Sequence, residues 1–173
     1  MNNSPIQKKK FIKKAGRTLL IKSNEPVSES FPGKITSLLT NNGIQFEVFD
    51  TVENSINAYK IIKENYDVQI KYAHYRIFFT INGLDETTDY NTIKKQHCDW
   101  LALNCDANVL YYKLYLKNNK YIGCGEFTID TKESMDKLLN KDGGLKQYTM
   151  DKYSGSYYRY NKKQETQPYS NNA

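Results

Sequence analysis

The stretch that decides the fold is residues 109–127, V-L-Y-Y-K-L-Y-L-K-N-N-K-Y-I-G-C-G-E-F. Two sets of side chains alternate along its first nine residues. The largely apolar set is Leu110, Tyr112, Leu114 and Leu116, and the other set is Tyr111, Lys113, Tyr115 and Lys117. Because successive side chains of a strand point to opposite faces of a sheet, this alternation predicts a strand with one buried face and one solvent face. Asn118 and Asn119 tolerate positive φ, so we expect a tight hairpin turn there and a partner strand from Tyr121.

The solvent face of this hairpin carries tyrosine rings and lysine ammonium groups in alternation. A single strand of nucleic acid is bound by these two groups together, because rings stack on bases and cations neutralise phosphates. Two other interpretations fit the same pattern. Tyrosine is common in strands, so the face is also compatible with an ordinary solvated surface. An aromatic sheet face can also be covered by a second copy or by another domain.

The excess positive charge of the chain is concentrated at its beginning. The net charge is +6, and residues 1–17 contain six cations and no acid. Those cations are Lys8, Lys9, Lys10, Lys13, Lys14 and Arg17. The rest of the chain is therefore balanced in charge, and a segment this polar has too little apolar content to fold alone. We predict a flexible basic arm over residues 1–16, which binds phosphates, acts as an import tag or serves only as a solubilising tail.

The first half of the chain predicts a small α/β unit. The expected strands are 17–22, 44–49 and 68–72, and the expected helices are 33–42 and 50–65. The first helix is predicted from Ile35, Leu38 and Leu39, which recur at the spacing of one helical face. The second helix is predicted from Asp50 as its N-cap, with Glu53 at the capping-box position three residues later.

The second half predicts the order strand, helix, hairpin, helix, strand. The first strand, 75–81, places Ile77, Phe79 and Ile81 on one face. A helix follows over 90–105, and after the hairpin a second helix is capped by Asp130. A last strand covers 145–150, and the tyrosine-rich sequence after it is low in aliphatic residues and predicts a flexible tail.

The two halves contain similar sequences where a strand leads into a helix. Residues 48–55 are V-F-D-T-V-E-N-S, and residues 128–135 are T-I-D-T-K-E-S-M. Both place Asp-Thr directly before a helix and a glutamate in its first turn. This similarity favours a duplicated unit, although any capped helix that follows a strand gives a comparable pattern.

The element order β-α-β-β-α-β in the second half is that of a ferredoxin-like fold. Within it, residues 120–127, K-Y-I-G-C-G-E-F, resemble the central strand motif of RNA-recognition-motif (RRM) domains, with matching Lys120, Gly123 and Phe127. Residues 77–82, I-F-F-T-I-N, look like the other strand motif of that family, with Phe78 at its exposed aromatic position. The central motif departs from the family at the two places that carry the stacking rings, which here are Ile122 and Cys124.

The predicted fold class is therefore α+β, a ferredoxin-like (RRM-like) unit preceded by a smaller related α/β unit. The predicted segments are the arm at 1–16, a half-ferredoxin-like unit at 17–74, the RRM-like unit at 75–153 and the flexible tail at 154–173. The resemblance implies RNA as the ligand, with Phe78 stacking a base and with Tyr111 and Tyr115 replacing the rings that the central motif lacks. The candidate nucleic-acid-binding residues are Phe78, Tyr111, Lys113, Tyr115, Lys117, Lys120, Ile122, Lys8, Lys9, Lys10, Lys13 and Lys14.

Nothing in the sequence predicts catalysis, a metal, a cofactor or a small-molecule substrate. His97 and Cys98 are adjacent, so on a helix they point about 100° apart and cannot face one ion. Cys98 and Cys105 lie two turns apart, which is too far for one small metal site. No phosphate-binding glycine loop and no metalloprotease or hydrolase motif occurs. We therefore predict that the protein is not an enzyme.

Three cysteines without a disulfide framework favour an intracellular, reducing compartment, either cytoplasm or nucleus. No apolar run is long enough to cross a membrane, and no membrane partner is expected. Abundant Lys, Asn, Ile and Tyr suggest an A/T-rich genome such as that of a large DNA virus, for which a virion location would follow.

The leading functional prediction is non-catalytic binding of single-stranded RNA or DNA, with RNA favoured. The alternative is a protein-interaction or assembly module that uses the same sheet face, as a homodimer or a genome-packaging component.

Overall fold

The computed structural model describes residues 14–140 and 146–160 of the chain. Within these residues the protein is an α+β structure with two antiparallel sheets and three helices. The elements of the first half are β1 (Thr18–Lys22), β2 (Lys34–Leu39), β3 (Ile44–Phe49), α1 (Val52–Asn65) and β4 (Gln69–Tyr72). Those of the second half are β5 (Tyr75–Thr80), α2 (Tyr90–Cys105), β6 (Val109–Lys117), β7 (Lys120–Ile129), α3 (Lys132–Leu138), β8 (Lys146–Met150) and β9 (Tyr153–Arg159).

The first sheet has the strand order β2-β3-β1-β4 and carries α1 on one face. Its core contains buried side chains from strands, helix and the loop before β2, namely Leu19, Ile21, Val27, Phe31, Phe49, Ala58 and Ile62. On β3 the polar Gln45 and Glu47 face this core, whereas Phe46 lies on the opposite face and is half-buried. The buried Gln45 amide is satisfied because it accepts a hydrogen bond from the backbone amide of Val27 and donates one to its carbonyl.

The predicted helix at 33–42 is wrong, because Lys34–Leu39 forms the edge strand β2. Pairing with β3 places Leu38 opposite Phe46 and Leu39 opposite Gln45. The spacing of Ile35, Leu38 and Leu39 suits one side of a helix, but a strand distributes those residues over both of its faces. All three aliphatic side chains are consequently more than half exposed.

The second sheet has the strand order β6-β7-β5-β9-β8, with all neighbours antiparallel. Helices α2 and α3 contribute Ile93, Leu101, Met135 and Leu138 to a core that also holds the predicted inward residues of β5. Helix α2 has the predicted bounds, 90–105. The expected hairpin turn is confirmed, since Asn118 and Asn119 have φ of 53° and 61°.

The two sheets share one arrangement of strands. The order β2-β3-β1-β4 in the first corresponds to β6-β7-β5-β9 in the second. A helix follows β3 in the first sheet and β7 in the second, in each case after an Asp-Thr dipeptide. The N-caps are Thr51 and Thr131, which accept hydrogen bonds from Asn54 and Ser134, so the prediction of Asp50 and Asp130 as caps is wrong by one residue.

The aspartates before the two caps have other roles. Asp130 is fully buried and forms an ion pair with Arg17 at 2.7 Å. Arg17 also bonds Asp106 at the C-cap of α2, 2.9 Å away. The pKa of Arg17 is raised above its ordinary value, chiefly by the hydrogen bond to Asp130. Because Arg17 directly precedes β1, this ion-pair cluster fastens the first sheet to the helix ends of the second half.

The expectation of a flexible tail from residue 154 is corrected for residues 154–159, which belong to β9. This strand pairs with β5 on one side and with β8 on the other, and it buries Tyr153 and Tyr157. Residues 161–173 of the expected tail lie outside the described residues. Among the helices that are described, none has the length and apolar character needed to cross a membrane.

Candidate nucleic-acid interface

The second sheet has one face covered by helices and one face without them. Residues Phe79 and Phe127 point into the helix-covered core, where both are fully buried. By alternation, Phe78 on β5 and Glu126 on β7 therefore point to the opposite face, which we call the open face. No described helix packs on the open face, so the rings that the sequence assigned to it are not covered by a helix.

Three aromatic rings form a contiguous cluster on the open face, and we call Phe78, Tyr115 and Tyr158 the aromatic platform. The ring centroids of Phe78 and Tyr115 are 6.1 Å apart, and those of Phe78 and Tyr158 are 6.0 Å apart. All three residues are partly exposed. The platform spans three strands of the sheet, which fixes the rings far more firmly than a loop would.

Strand register explains why these rings meet. Phe78 lies opposite Tyr158 on β9 and opposite Glu126 on β7. Glu126 in turn lies opposite Lys113 on β6. One row of side chains on the open face therefore consists of Lys113, Glu126, Phe78 and Tyr158. Tyr115, two residues after Lys113 on β6, also contacts the Phe78 ring.

An acidic side chain lies in the middle of this row. Glu126 is only 5% exposed, and its carboxylate accepts hydrogen bonds from the Arg76 guanidinium at 2.5 Å. Tyr115 also donates to it, and the pKa of Tyr115 is raised, first by burial and then by the Glu126 charge. The carboxylate is thus neutralised by Arg76 and holds the Tyr115 ring in place.

Arg76 has a second role on the open face. Its guanidinium lies 3.8 Å from the centroid of the Tyr160 ring, which is within cation–π range. Arg76 therefore connects Glu126 to a fourth aromatic side chain at the end of β9. Arg76, Glu126, Tyr158 and Tyr160 were all absent from the residues predicted from sequence.

The lysines of the predicted site surround the platform on its β6–β7 side. The ammonium group of Lys113 lies 5.8 Å from the centroid of the Tyr115 ring. Lys117 and Lys120 face each other across the hairpin turn, and all three lysines are exposed. Lys120 also has Glu86 at 3.6 Å, but both groups are mostly solvated, so this pair is weak and easily exchanged for a phosphate.

The other predicted site residues divide into two groups. Tyr111 and Ile122 are about half exposed, at 49% and 48%, and extend the open face at either side of the platform. Lys14 is exposed, and its charge acts weakly on the thiol of Cys98 in α2, whose pKa is raised chiefly by burial. Lys8, Lys9, Lys10 and Lys13 lie outside the described residues.

Gly123 and Gly125, in the segment that resembles the central RRM motif, are explained by the structure of the sheet. A side chain at Gly125 would overlap the Lys113 carbonyl and come within 2.9 Å of the Phe79 ring. Gly123 has φ of 78° in the irregular part of the β6–β7 pairing, a conformation that favours glycine. Both glycines permit close packing and a local distortion of the strand, as expected for glycine within a sheet.

No model of a known protein family matches the sequence, and no curated protein matches it. The functional conclusion therefore rests on residues and geometry.

His97 and Cys105, which could suggest other chemistry, are buried residues of α2 and lie away from the open face. His97 is fully buried in the core, and burial lowers its pKa to about 3. Burial raises the pKa of Cys105 to about 11. Among the described residues, no three His, Cys, Asp or Glu side chains are grouped so that they could hold a metal ion.

Tyr158 was not among the predicted site residues, because the segment after Asp151 is short of aliphatic residues and its tyrosines were assigned to a stacking-prone flexible tail, with packing back onto the sheet as the alternative. The residues 153–160 are Y-S-G-S-Y-Y-R-Y, in which Tyr158 and Tyr160 stand two positions apart, the spacing of one strand face. Aromatic residues at alternate positions favour a strand, and this signal was available. Arg76 was equally accessible, since it is two residues from Phe78 and therefore shares its face.

Proposed function

We propose that the protein binds single-stranded nucleic acid, without catalysis, on the open face of its second sheet. The observation that carries the proposal is the aromatic platform, three rings in contact that project from β6, β5 and β9 and are flanked by exposed lysines. Bases would stack on Phe78, Tyr115 and Tyr158, and phosphates would contact Lys113, Lys117 and Lys120. Each stacked base contributes about 1–3 kcal/mol, and every base has a π-face, so the expected sequence preference is modest.

The charges of the open face support this ligand. Glu126 would repel phosphates if it were unpaired, but it is buried and neutralised by Arg76. The lysines are left as the accessible charges on the β6–β7 side. A single strand presents both bases and phosphates to such a surface, whereas a duplex keeps its bases stacked and offers the platform nothing to stack on.

The strand order of the second half supports a ferredoxin-like, RRM-like interpretation. In that interpretation β5, β6 and β7 are the first three strands, β9 takes the place of the fourth and β8 is an added edge strand. The first half corresponds to the same arrangement without its first helix. RNA is favoured over DNA on the strength of this resemblance alone, and an intracellular location is part of the same proposal.

The proposal is tested by fluorescence anisotropy with short labelled uridine-rich and thymidine-rich single strands and a matched duplex. The variants Phe78→Leu, Tyr115→Leu and Tyr158→Leu each remove one ring and should weaken single-strand binding by about 5- to 150-fold. The control is Tyr59→Leu, which removes a ring of the stacked Tyr59–Tyr72 pair in the first sheet and should leave affinity unchanged.

Circular dichroism should first establish that each variant is folded. Equal affinity of wild type and all three platform variants would refute the assignment of the site. No binding to either single strand, together with a salt-insensitive dimer that Tyr115→Leu dissociates, would favour the alternative in which the same face is a protein interface. The absorbance ratio at 260 and 280 nm before and after a high-salt wash gives an independent check for co-purified nucleic acid.

A further inference from the structure

Among the described residues no strand pairs with the outer side of β2, and this edge of the first sheet is unusually apolar. Strand β2 is exposed at every position from Ile35 to Leu39, and its large side chains Ile35, Leu38 and Leu39 are 62%, 59% and 54% exposed. Helix α1 packs mainly against β1 and β3 of this sheet. A long apolar edge with unpaired backbone groups is a template for another strand unless the sequence blocks it.

The chain protects a comparable edge elsewhere. Strand β6, at the edge of the second sheet, carries Lys113 and Lys117 along its length and has two register irregularities. Strand β2 has a bulge at its beginning and a single lysine, Lys34, at its first position. The remaining residues 35–39 are uncharged. The edge of the first sheet is therefore left open at the place where a partner strand would pair.

The backbone of β2 is oriented for pairing. Thr40 directly follows β2, and its backbone amide donates to the carbonyl of Ile44 at 2.8 Å. The backbone polar groups of Thr40 therefore point towards β3. Because backbone direction alternates along an antiparallel strand, the amide and carbonyl groups of Ser37 and Leu39 point away from β3. They are available to a strand outside the sheet.

We propose that β2 pairs antiparallel with β2 of a second copy about a two-fold axis at Ser37, which joins the two first sheets into one. In this register Ile35 lies opposite Leu39 of the other copy, and Leu38 lies opposite Thr36 of the other copy. No two like charges meet across the axis within residues 35–39. The strand is thus self-complementary, as a two-fold interface requires.

The surface available sets the strength of this dimer. With more than half of each of the three aliphatic side chains exposed, pairing covers on the order of 300 Å² of aliphatic surface per copy, about half of what the smaller specific interfaces bury on each side. The backbone hydrogen bonds add to this. The expected complex is a monomer–dimer equilibrium in the micromolar range, driven by apolar contact and therefore little affected by salt.

The proposed register is tested by sedimentation velocity on the full chain over a wide range of protein concentrations. The protein is first treated with nuclease and washed at high salt. Leu39→Lys and Ile35→Glu should each remain monomeric at concentrations where the wild type is dimeric. An equimolar mixture of the two variants should recover the dimer, because the ammonium group introduced at position 39 of one copy then meets the carboxylate introduced at position 35 of the other. The matched control is Leu103→Lys, at an 86% exposed leucine of α2, which should dimerise like the wild type.

Three outcomes would overturn the proposal. The first is a wild type that is monomeric at every concentration, which leaves the edge for a strand of another protein. The second is undiminished dimerisation of Leu39→Lys and Ile35→Glu. The third is a mixture of the two variants that stays monomeric, which contradicts the register. Tyr115→Leu should dimerise normally, so failure of this interface and failure of the nucleic-acid platform are distinguishable.

Discussion

The buried histidine at the centre of the second core should make the stability of the protein depend on pH. His97 lies on α2, and its two ring nitrogens are hydrogen-bonded to the hydroxyls of Tyr112 and Tyr157, at 2.7 and 2.8 Å. The imidazole also stacks on Tyr148 with a centroid distance of 5.2 Å. A neutral imidazole donates from one nitrogen and accepts at the other, so it satisfies both contacts without a charge in this aromatic environment.

The sign of the effect follows from where the proton binds. Burial lowers the pKa of His97 from its ordinary 6.5 to about 3. Between these two values the unfolded chain holds a proton that the folded protein does not, so stability falls as the pH falls through this window. At most the slope is about 1.4 kcal/mol per pH unit, which gives a loss of about 2 kcal/mol between pH 6.5 and pH 4.5. Carboxylates begin to bind protons towards pH 4.5, so the contribution of His97 is measured as the difference between the wild type and a variant that lacks this histidine.

The assay is urea unfolding at a series of pH values, followed by the fluorescence of Trp100 and by circular dichroism. Trp100 is the sole tryptophan of the chain and packs against the Tyr148 and Tyr157 rings. His97→Gln retains a donor and an acceptor without titrating, so its unfolding free energy should be lower overall and should fall by about 2 kcal/mol less than that of the wild type between pH 6.5 and pH 4.5. His74→Gln replaces the other histidine and measures how much of the wild-type slope comes from that residue.

Two results would refute this reasoning. One is a wild type whose unfolding free energy does not change over the window. The other is a slope that persists in His97→Gln and disappears in His74→Gln, which would assign the titration to the wrong histidine. Should the glutamine variant fail to fold, a nuclear magnetic resonance titration of the wild-type imidazole decides the matter, because a pKa near 6.5 for His97 contradicts the argument directly.

Three further predictions concern the sheet junction, the last strand and the proposed interface. Arg17→Met should lower the unfolding free energy by about 3–5 kcal/mol, because it leaves the buried Asp130 carboxylate unpaired; the double variant with Asp130→Asn should lose less than the two single losses combined, and additivity in urea unfolding would contradict the ion pair. Tyr157→Ala should cost about 3–5 kcal/mol while Tyr158→Ala costs much less, since the first is buried and the second lies on the open face; the reverse order would contradict β9 as placed. In a titration of binding against salt, three phosphate contacts predict a log–log slope near −2 for the described surface, and Lys113→Met should reduce its magnitude by about 0.7; an unchanged slope would remove that lysine from the interface.

Local sequence determined the elements whose patterns are strong in themselves. The alternation in 109–117 and the Asn-Asn pair specify a hairpin because only positive φ at both turn residues suits the twist of its strands. The bounds of α2 follow from the apolar residues spaced along it and from the capping Asp89 before it. The rings and lysines of β6 were assigned to the correct face because a strand has a fixed period of two.

Tertiary structure decided what local pattern leaves open. The residues 34–39 suit a helical stripe and a strand equally well, and pairing with β3 selects the strand. Tyr158 joins the platform only because β9 is inserted between β5 and β8, a contact between residues about 80 positions apart. Glu126 is harmless on a face proposed to bind phosphates because Arg76 of another strand neutralises it. Such pairings depend on hydrogen bonds and charges that are distant in sequence, and the periodicity of a single segment contains no information about them.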